Sequence, residues 1–364
     1  MTKEQYLSEN AALDAAALLR EMISVPSLSG EEHNRAQLLE CYLKEKFLNP
    51  QRIGNNIICK LRSAQPDSQT AHRPVLLLNS HIDTVKPSSA YSFDPFNPPH
   101  SNHIVYGLGS NDAGASVVSL ISAFIYFSRS DILPFDLTLL LSAEEENSGK
   151  GGINLGLTET GPIDAAIVGE PTQMRCAVAE RGLLVLDCTT KGVSGHAARN
   201  EGINALYIAL EDISRIRGHR FNHVSPMMGD IKMTVTQIEA GSQHNVVPDI
   251  CRFVVDIRPT DACSNEQIVM ELRGLLNSEI KPRSLTNRSS ATPSEHPLYK
   301  AALSGGFETY VSPTTSDWMR LTVPAIKMGP GDSARSHMAD EFVTIEEIRV
   351  GIEGYIRLIE NIKF

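Results

Sequence analysis

Apolar positions along the chain fall into two textures, and the change between them divides it. In the first half, helix-spaced segments alternate with short unbroken apolar runs. Ala11 to Met22 carries apolar residues at helical spacing and stops at Ser24-Val25-Pro26-Ser27, where proline disfavours a helical predecessor. Glu31 to Phe47 reads as a second amphipathic helix, Ile53 to Leu61 as a strand, and Arg62 to Arg73 as a polar loop. The run Val75-Leu76-Leu77-Leu78 is too short for a helix and lacks one-sided alternation, which predicts a strand buried on both faces. Four prolines between Lys86 and His103 exclude a regular element there. Asp112 to Phe127 reads as a helix rich in small residues, Phe135 to Ser142 as an apolar strand, and Ala165 to Val168 as a short one. Strands alternating with helices predict an α/β fold, with a mostly parallel sheet and helices on both faces.

From about Leu183 the pattern turns to alternation. Leu183 to Thr190, Lys232 to Glu239 and Cys251 to Ile257 read as half-exposed strands, with helices over Ile203 to Ile216 and Glu266 to Leu276. This βαββα order predicts a smaller α+β domain with an antiparallel sheet. After a Ser/Thr-rich connector, Ser284 to Ser294, the first texture returns: a helix from Pro297 to Gly305, a strand at Ala325 to Met328 and a last helix from Ile345 to Ile362. The expectation is a discontinuous α/β domain, 1–180 and 292–364, with a domain of 181–291 inserted into it. A length of 364 residues, beyond what one core usually supports, agrees with two domains.

Composition narrows the classes. Hydrophobic residues at 41% and charged residues at 21% describe an ordinary globular protein. A formal charge of −10 argues against nucleic acid or an anionic membrane surface as partner. The six cysteines form no Cys-x-x-Cys pair, so neither a thiolate zinc motif nor a disulfide framework is present. The N-terminus lacks the apolar core of a signal peptide, and no 18 consecutive residues are apolar. A reduced, cytoplasmic protein is expected.

Candidate chemistry gathers at strand ends. His81 and Asp83 follow the Val75 run, and residues two apart in an extended segment face one way. His81 then offers an imidazole nitrogen to a site where α/β sheets bind ligands, with Asp83 placed to hold the other ring nitrogen. Asp112 lies in Gly107-Leu108-Gly109-Ser110-Asn111-Asp112; the third glycine of a dinucleotide fingerprint would fall at 112, so nucleotide binding is disfavoured. Glu144, Glu145 and Glu146 follow the Phe135 strand, Glu170 closes the Ala165 strand, and His337 ends a glycine-rich loop after Met328. If Asp83, Asp112, Glu144, Glu145 and Glu170 converge, their desolvation demands counter-charge. Two divalent cations supply it, and oxygen and imidazole donors without thiolate suit zinc, manganese or cobalt.

These motifs resemble those of the M20 family of metallohydrolases, the aminoacylase, acetylornithine deacetylase and succinyl-diaminopimelate desuccinylase group. His81-x-Asp83, Asp112, Glu144-Glu145, Gly169-Glu170-Pro171-Thr172 and His337 stand in that family's order, over nearly the whole chain. The resemblance implies that Asp112 bridges two metals, that His81 and Glu170 complete one site, and that Glu145 and His337 complete the other. It makes Glu144 the general base and Asp83 the orienter of His81. It also implies a cis peptide between Asp112 and Ala113, and a homodimer through the inserted lid domain. In that dimer His196, from Gly192-Val193-Ser194-Gly195-His196, would reach the partner's active site as an oxyanion stabiliser. Asn245 and Arg258 match substrate-contacting positions, and an arginine suits a carboxylate. Two departures stand out: Ala113-Gly114-Ala115-Ser116 where Lys-Gly-Gly is frequent, and Arg335-Ser336 before His337 where alanine is usual.

The expected function is hydrolysis of an N-acyl amino acid, most like acetylornithine deacetylation. Alternatives within the class are deacylation of succinylated or acetylated citrulline, lysine or diaminopimelate, and dipeptide hydrolysis. From another class, a metal-binding α/β protein without catalysis is the rival, and retention of a glutamate general base argues against it.

Overall fold

The computed structural model describes residues 6–7, 10–63, 73–130, 133–199 and 201–364. Most of the polar loop after Leu61, and most of the N-terminal stretch read for a targeting signal, lie outside the described residues. The strands are β1 Gln51–Ile53, β2 Asn56–Leu61, β3 Val75–His81, β4 Ile104–Tyr106, β5 Asp136–Ser142, β6 Ala165–Gly169, β7 Cys176–Glu180 and β8 Leu184–Lys191. They continue as β9 Gly195–His196, β10 Lys232–Ala240, β11 Val246–Val247, β12 Ile250–Arg258, β13 Glu279–Pro282, β14 Ser290–Ala291, β15 Thr309–Ser312, β16 Ala325–Met328 and β17 Phe342–Thr344. The chain divides into two compact units: Met1–Val178 with Thr292–Tyr310 and Ser316–Phe364, and Ala179–Ala291 with Val311–Thr315.

In the first unit the sheet runs β1-β2-β5-β3-β6-β16-β7. Its centre, β5-β3-β6-β16, is parallel, and the pairs β2–β5 and β16–β7 are antiparallel. The apolar runs serve two cores at once. Leu76 and Leu78 of β3, with Leu137, Leu139 and Leu141 of β5, pack on the side of the helices Ala11–Ser24, Ala115–Ser128 and Ile345–Glu360. Leu77 and Leu140 point the other way, to Ile153, Trp318 and Leu321. That division explains why β3 and β5 show no polar face. Each such leucine contributes about 1.5–3 kcal/mol by burial. The helix Ala115–Ser128 is buried from Ala115 through Phe127, which accounts for its apolar circumference.

The sequence reading missed the helix Ile153–Thr160 and strands β7 and β15. Strand β7, Cys-Ala-Val-Ala-Glu, is wholly buried yet built mainly of small residues, so it lacks the bulky apolar signature of a strand.

The second unit contains the antiparallel sheet β10-β12-β8-β13. Strand β8 alternates, with Leu184, Leu186 and Cys188 facing a core closed by the helices Ala205–Gly218 and Asn265–Leu275. Among the described residues β10 pairs only with β12 and is largely exposed. No helix of the described residues is long and apolar enough to cross a membrane. All six cysteines are free, and only Cys41 is exposed.

Candidate metal centre and active site

Four parallel strands bring their carboxyl ends together. In register, His81 of β3 stands beside Ser142 of β5, and Gly169 of β6 beside Met328 of β16. The loops leaving these ends carry the acidic and imidazole groups, where an open α/β sheet places its ligands.

His81 is 2% exposed. Its Nδ1 lies 3.1 Å from the Asp83 carbonyl and 3.4 Å from the Asp83 carboxylate. Its Nε2 lies 3.2 Å from Asp112 Oδ1 and 4.0 Å from Glu170 Oε1. His81, Asp112 and Glu170 form one group whose donor atoms all fall within 4.8 Å of one another. Asp112, Glu146 and His337 form a second such group. There His337 Nε2 is 3.1 Å from Glu146 Oε2 and 3.9 Å from Asp112 Oδ2. Asp112 belongs to both and offers a different oxygen to each side. The Asp112–Ala113 peptide bond is cis, in agreement with the family resemblance.

The glutamate run is shifted by one from the expected assignment. Glu144, expected as general base, adopts a left-handed backbone (φ 51) and folds its carboxylate back to accept the Gly151 N–H at 3.0 Å. A Cβ at Gly151 would lie 2.3 Å from Glu144 Oε1, so a larger residue there would displace that carboxylate. Glu146, not Glu145, reaches His337. Glu145 is instead half-buried among the charges of His81, Glu170, Asp317 and Glu146. The strand period ends at Ser142, and the left-handed turn at Glu144 displaces everything after it. Asp83 locks this turn: its carboxylate accepts the Glu145 and Glu146 N–H groups, both at 3.1 Å, and the Ser29 hydroxyl at 2.7 Å.

The cluster is short of positive charge. Burial pushes the Glu145 carboxyl well up and Glu170 to about 8, with His81 opposing both shifts. Burial raises Asp317 to about 6, although Ser142 Oγ donates to it at 2.6 Å. Glu341 is raised to about 7 by burial, against the N–H groups it accepts from Gly109 and Asp112. For Asp112 burial is outweighed by the His81 hydrogen bond, and the carboxyl is lowered. Burial likewise opposes protonation of His81, yet its bonds to Asp112 and Asp83 hold its pKa well up. His337 is raised to about 9, chiefly by Glu146. Acids held above their usual range beside imidazoles held above theirs describe a pocket rich in acidic charge. Its oxygen and nitrogen donors fit a pair of divalent ions.

Sequence reasoning missed Asp317, Glu341 and the place of Glu146 beside Asp112 and His337. Glu341 follows His337 within the same segment, a proximity that pointed to it; Asp317 follows no predicted strand and carried no such signal. Arg335, part of the departure before His337, is engaged elsewhere. Its Nη1 lies 3.0 Å from both Glu347 oxygens, and its guanidinium stacks 4.3 Å over the Phe342 ring.

The second unit holds the other three residues. His196 lies exposed on β9 opposite Val246 of β11, and the Ala197 N–H donates to the Asn245 carbonyl at 3.1 Å, so His196 and Asn245 adjoin. Arg258 ends β12 with its guanidinium on Asp256, at 2.8 and 3.1 Å.

A mixed sheet with a parallel centre, carrying two abutting acid-and-imidazole groups at the strand ends, defines a metallohydrolase-like α/β protein. The chain belongs to peptidase family M20/M25/M40, whose model matches residues 77–361, and is a hydrolase of that family. It is 26% identical over 368 residues to an acetylornithine deacetylase of Photorhabdus laumondii, covering 91% of this chain and 92% of the relative. It is 24% identical over 308 residues to an N-acetyl-L-citrulline deacetylase of Xanthomonas campestris, covering 79% and 82%. In fold it is similar to a dinuclear metal-binding M20 peptidase of Bacillus subtilis, with TM-score 0.72 and 15% identity over 99% of this chain and 98% of the other.

Proposed function

We propose that the chain is a two-cation amidohydrolase that removes the N-acyl group from an amino acid, most like an acetylornithine deacetylase. The observation that carries this reading is the pair of three-residue groups sharing Asp112, with the half-buried Glu145 carboxylate beside them and in neither. His81, Asp112 and Glu170 would hold one ion, and Asp112, Glu146 and His337 the other. Zinc fits the donors, with cobalt or manganese as substitutes. Bound there, such ions supply Lewis acidity, which acidifies water and polarises the scissile carbonyl. Glu145 takes the proton from the attacking water and returns it to the leaving amine. Asp83 keeps His81 oriented and Glu145 aimed through the Glu145 N–H.

Deacetylases among the relatives support an acetyl substrate. Arg258 and Asn245 are assigned to the α-carboxylate; Arg258 would exchange its half-exposed Asp256 partner for substrate, a pair worth about 0–1 kcal/mol. His196 is assigned to the partner subunit's site in a homodimer. The free cysteines fit a cytoplasmic setting. The experiment is a substrate panel with zinc- or cobalt-loaded protein: N-acetyl and N-succinyl derivatives of ornithine, citrulline, lysine and diaminopimelate, with free dipeptides. Hydrolysis of N-acetylornithine or N-acetylcitrulline above the rest is expected. Rapid cleavage of dipeptides with every N-acyl amino acid untouched would overturn the assignment.

A further inference from the structure

The segment that carries His337 is tied at both ends to the turn that carries Asp112. At its start the Asn111 amide grips the Asp332 main chain: Nδ2 donates to the carbonyl at 3.1 Å, and Oδ1 accepts the N–H at 2.9 Å. Asn111 is fully buried and immediately precedes Asp112. Gly331 completes the fit, with φ at +85 and room for no Cβ, which would lie 2.3 Å from Asn111 Oδ1. At the far end, the Glu341 carboxylate accepts the N–H groups of Gly109, Asn111 and Asp112 at 2.9, 2.8 and 2.8 Å. Between the ties Arg335 is held by Glu347 and Asp340 by Ser92, neither of them part of the Asp112 turn. His337 itself is left-handed (φ 61) with its side chain 57% exposed, so packing alone does little to fix it. The first group differs, because His81 ends β3 within the sheet and Glu170 directly follows β6.

We propose that Asn111 is a positioning residue for the cation held by Asp112, Glu146 and His337. By fixing Asp332 to the residue beside Asp112, it sets the spacing of His337 from Asp112 and thereby the affinity of that site. The group of His81, Asp112 and Glu170 does not depend on this tie, since Glu341 still anchors the Asp112 N–H. The inference rests on the two-cation reading above.

The test is a Co²⁺ titration of the metal-free full chain, followed by calorimetry and visible absorption, in wild type, Asn111→Ala, Asn111→Asp and His337→Ala. Wild type should take two ions per chain, and His337→Ala identifies the step that belongs to its site. Both Asn111 variants should keep the other step within about threefold and weaken the His337 step about ten- to a hundredfold, as for lost supporting bonds around a metal. Asn111→Asp is the sharper variant. It is nearly isosteric, its metal-free melting temperature is measured beside that of wild type, and its added negative charge alone would tighten cation binding. Weaker binding therefore reports lost geometry. Two unchanged steps in both variants would overturn the proposal, as would equal weakening of both steps with a lower metal-free melting temperature, which is general loosening. A wild type that takes one ion or none would bring down the two-cation reading and this inference with it.

Discussion

Three adjacent glutamates follow β5, and the backbone between them decides which one faces the cluster. His81, Asp112, Glu170 and His337, each picked out from sequence by its place after a strand or in a glycine-bearing loop, fall in the two groups the structure brings together. Within Glu144-Glu145-Glu146 such placement does not choose among the three. The φ of 51 at Glu144 and the Gly151 N–H that captures its carboxylate arise from loop closure, which leaves no periodicity to read. The three positions are nonetheless separable by experiment. Glu145→Gln should lower kcat about 10²–10⁴-fold, the usual weight of a general base, with both cations retained. Glu146→Gln should lose one cation per chain. Glu144→Gln, which keeps an oxygen to accept from Gly151, should keep kcat within about tenfold of wild type. Steady-state kinetics with metal analysis of all three variants checks this, and a Glu144→Gln as inactive as Glu145→Gln would restore the original assignment.

At the scale of elements, what could be read was what burial imposes. The runs of β3 and β5 face two cores, so each lacks a polar face, and Leu78→Ala should cost about 2–5 kcal/mol in urea unfolding. The last helix was equally legible, because Thr344 and Glu347 spell a capping box ahead of an amphipathic pattern. Its second role was hidden: Glu347 also accepts from Arg335, tying the helix start to the segment that carries His337. The Glu347 carboxyl is partly buried, which raises its pKa, but its bonds to Arg335 and Thr344 prevail and lower it. Thr344→Ala should cost about 0.5–2 kcal/mol of stability, read by denaturant midpoint, with catalytic constants of the folded enzyme unchanged. Strand β7 shows the opposite limit: its small residues carry no strand signature, and only the sheet around it gives it that conformation.

The whole molecule behaves as a reservoir of uncompensated acid that cations complete. Glu170, Glu341 and Asp317 have folded pKa values raised to about 8, 7 and 6, and His337 to about 9. Each raised group holds its proton longer in the folded state, so its contribution is fully present below the unfolded pKa and is lost as pH rises through the folded one. The depressed carboxyls, Asp83 and Asp112, act oppositely but only below the usual carboxylate range. Metal-free protein should therefore melt progressively lower from pH 5 to pH 9, and zinc or cobalt should raise the melting temperature more at pH 8 than at pH 5.5. A flat metal-free profile would remove the acid reservoir. The second unit carries the remaining expectation, that the enzyme works as a pair. Strand β10 is a long edge, and the neighbouring helix exposes Tyr207 at 65% and Leu210 at 50%. Bare edges of this kind are ordinarily blunted or paired, and exposed apolar side chains beside one favour a second copy. Tyr207→Asp with Leu210→Asp should shift the sedimenting species from dimer to monomer. If His196 serves the partner's site, neither His196→Ala nor Glu145→Gln alone should retain much activity. Mixed under subunit exchange, they should form heterodimers in which one site has both its own Glu145 and an intact His196 from across the interface. Recovery towards about a quarter of wild-type activity is expected from random reassociation of equal amounts, since half the dimers are mixed and each has one complete site. Absence of recovery, with exchange verified by differently tagged chains, would confine His196 to its own subunit.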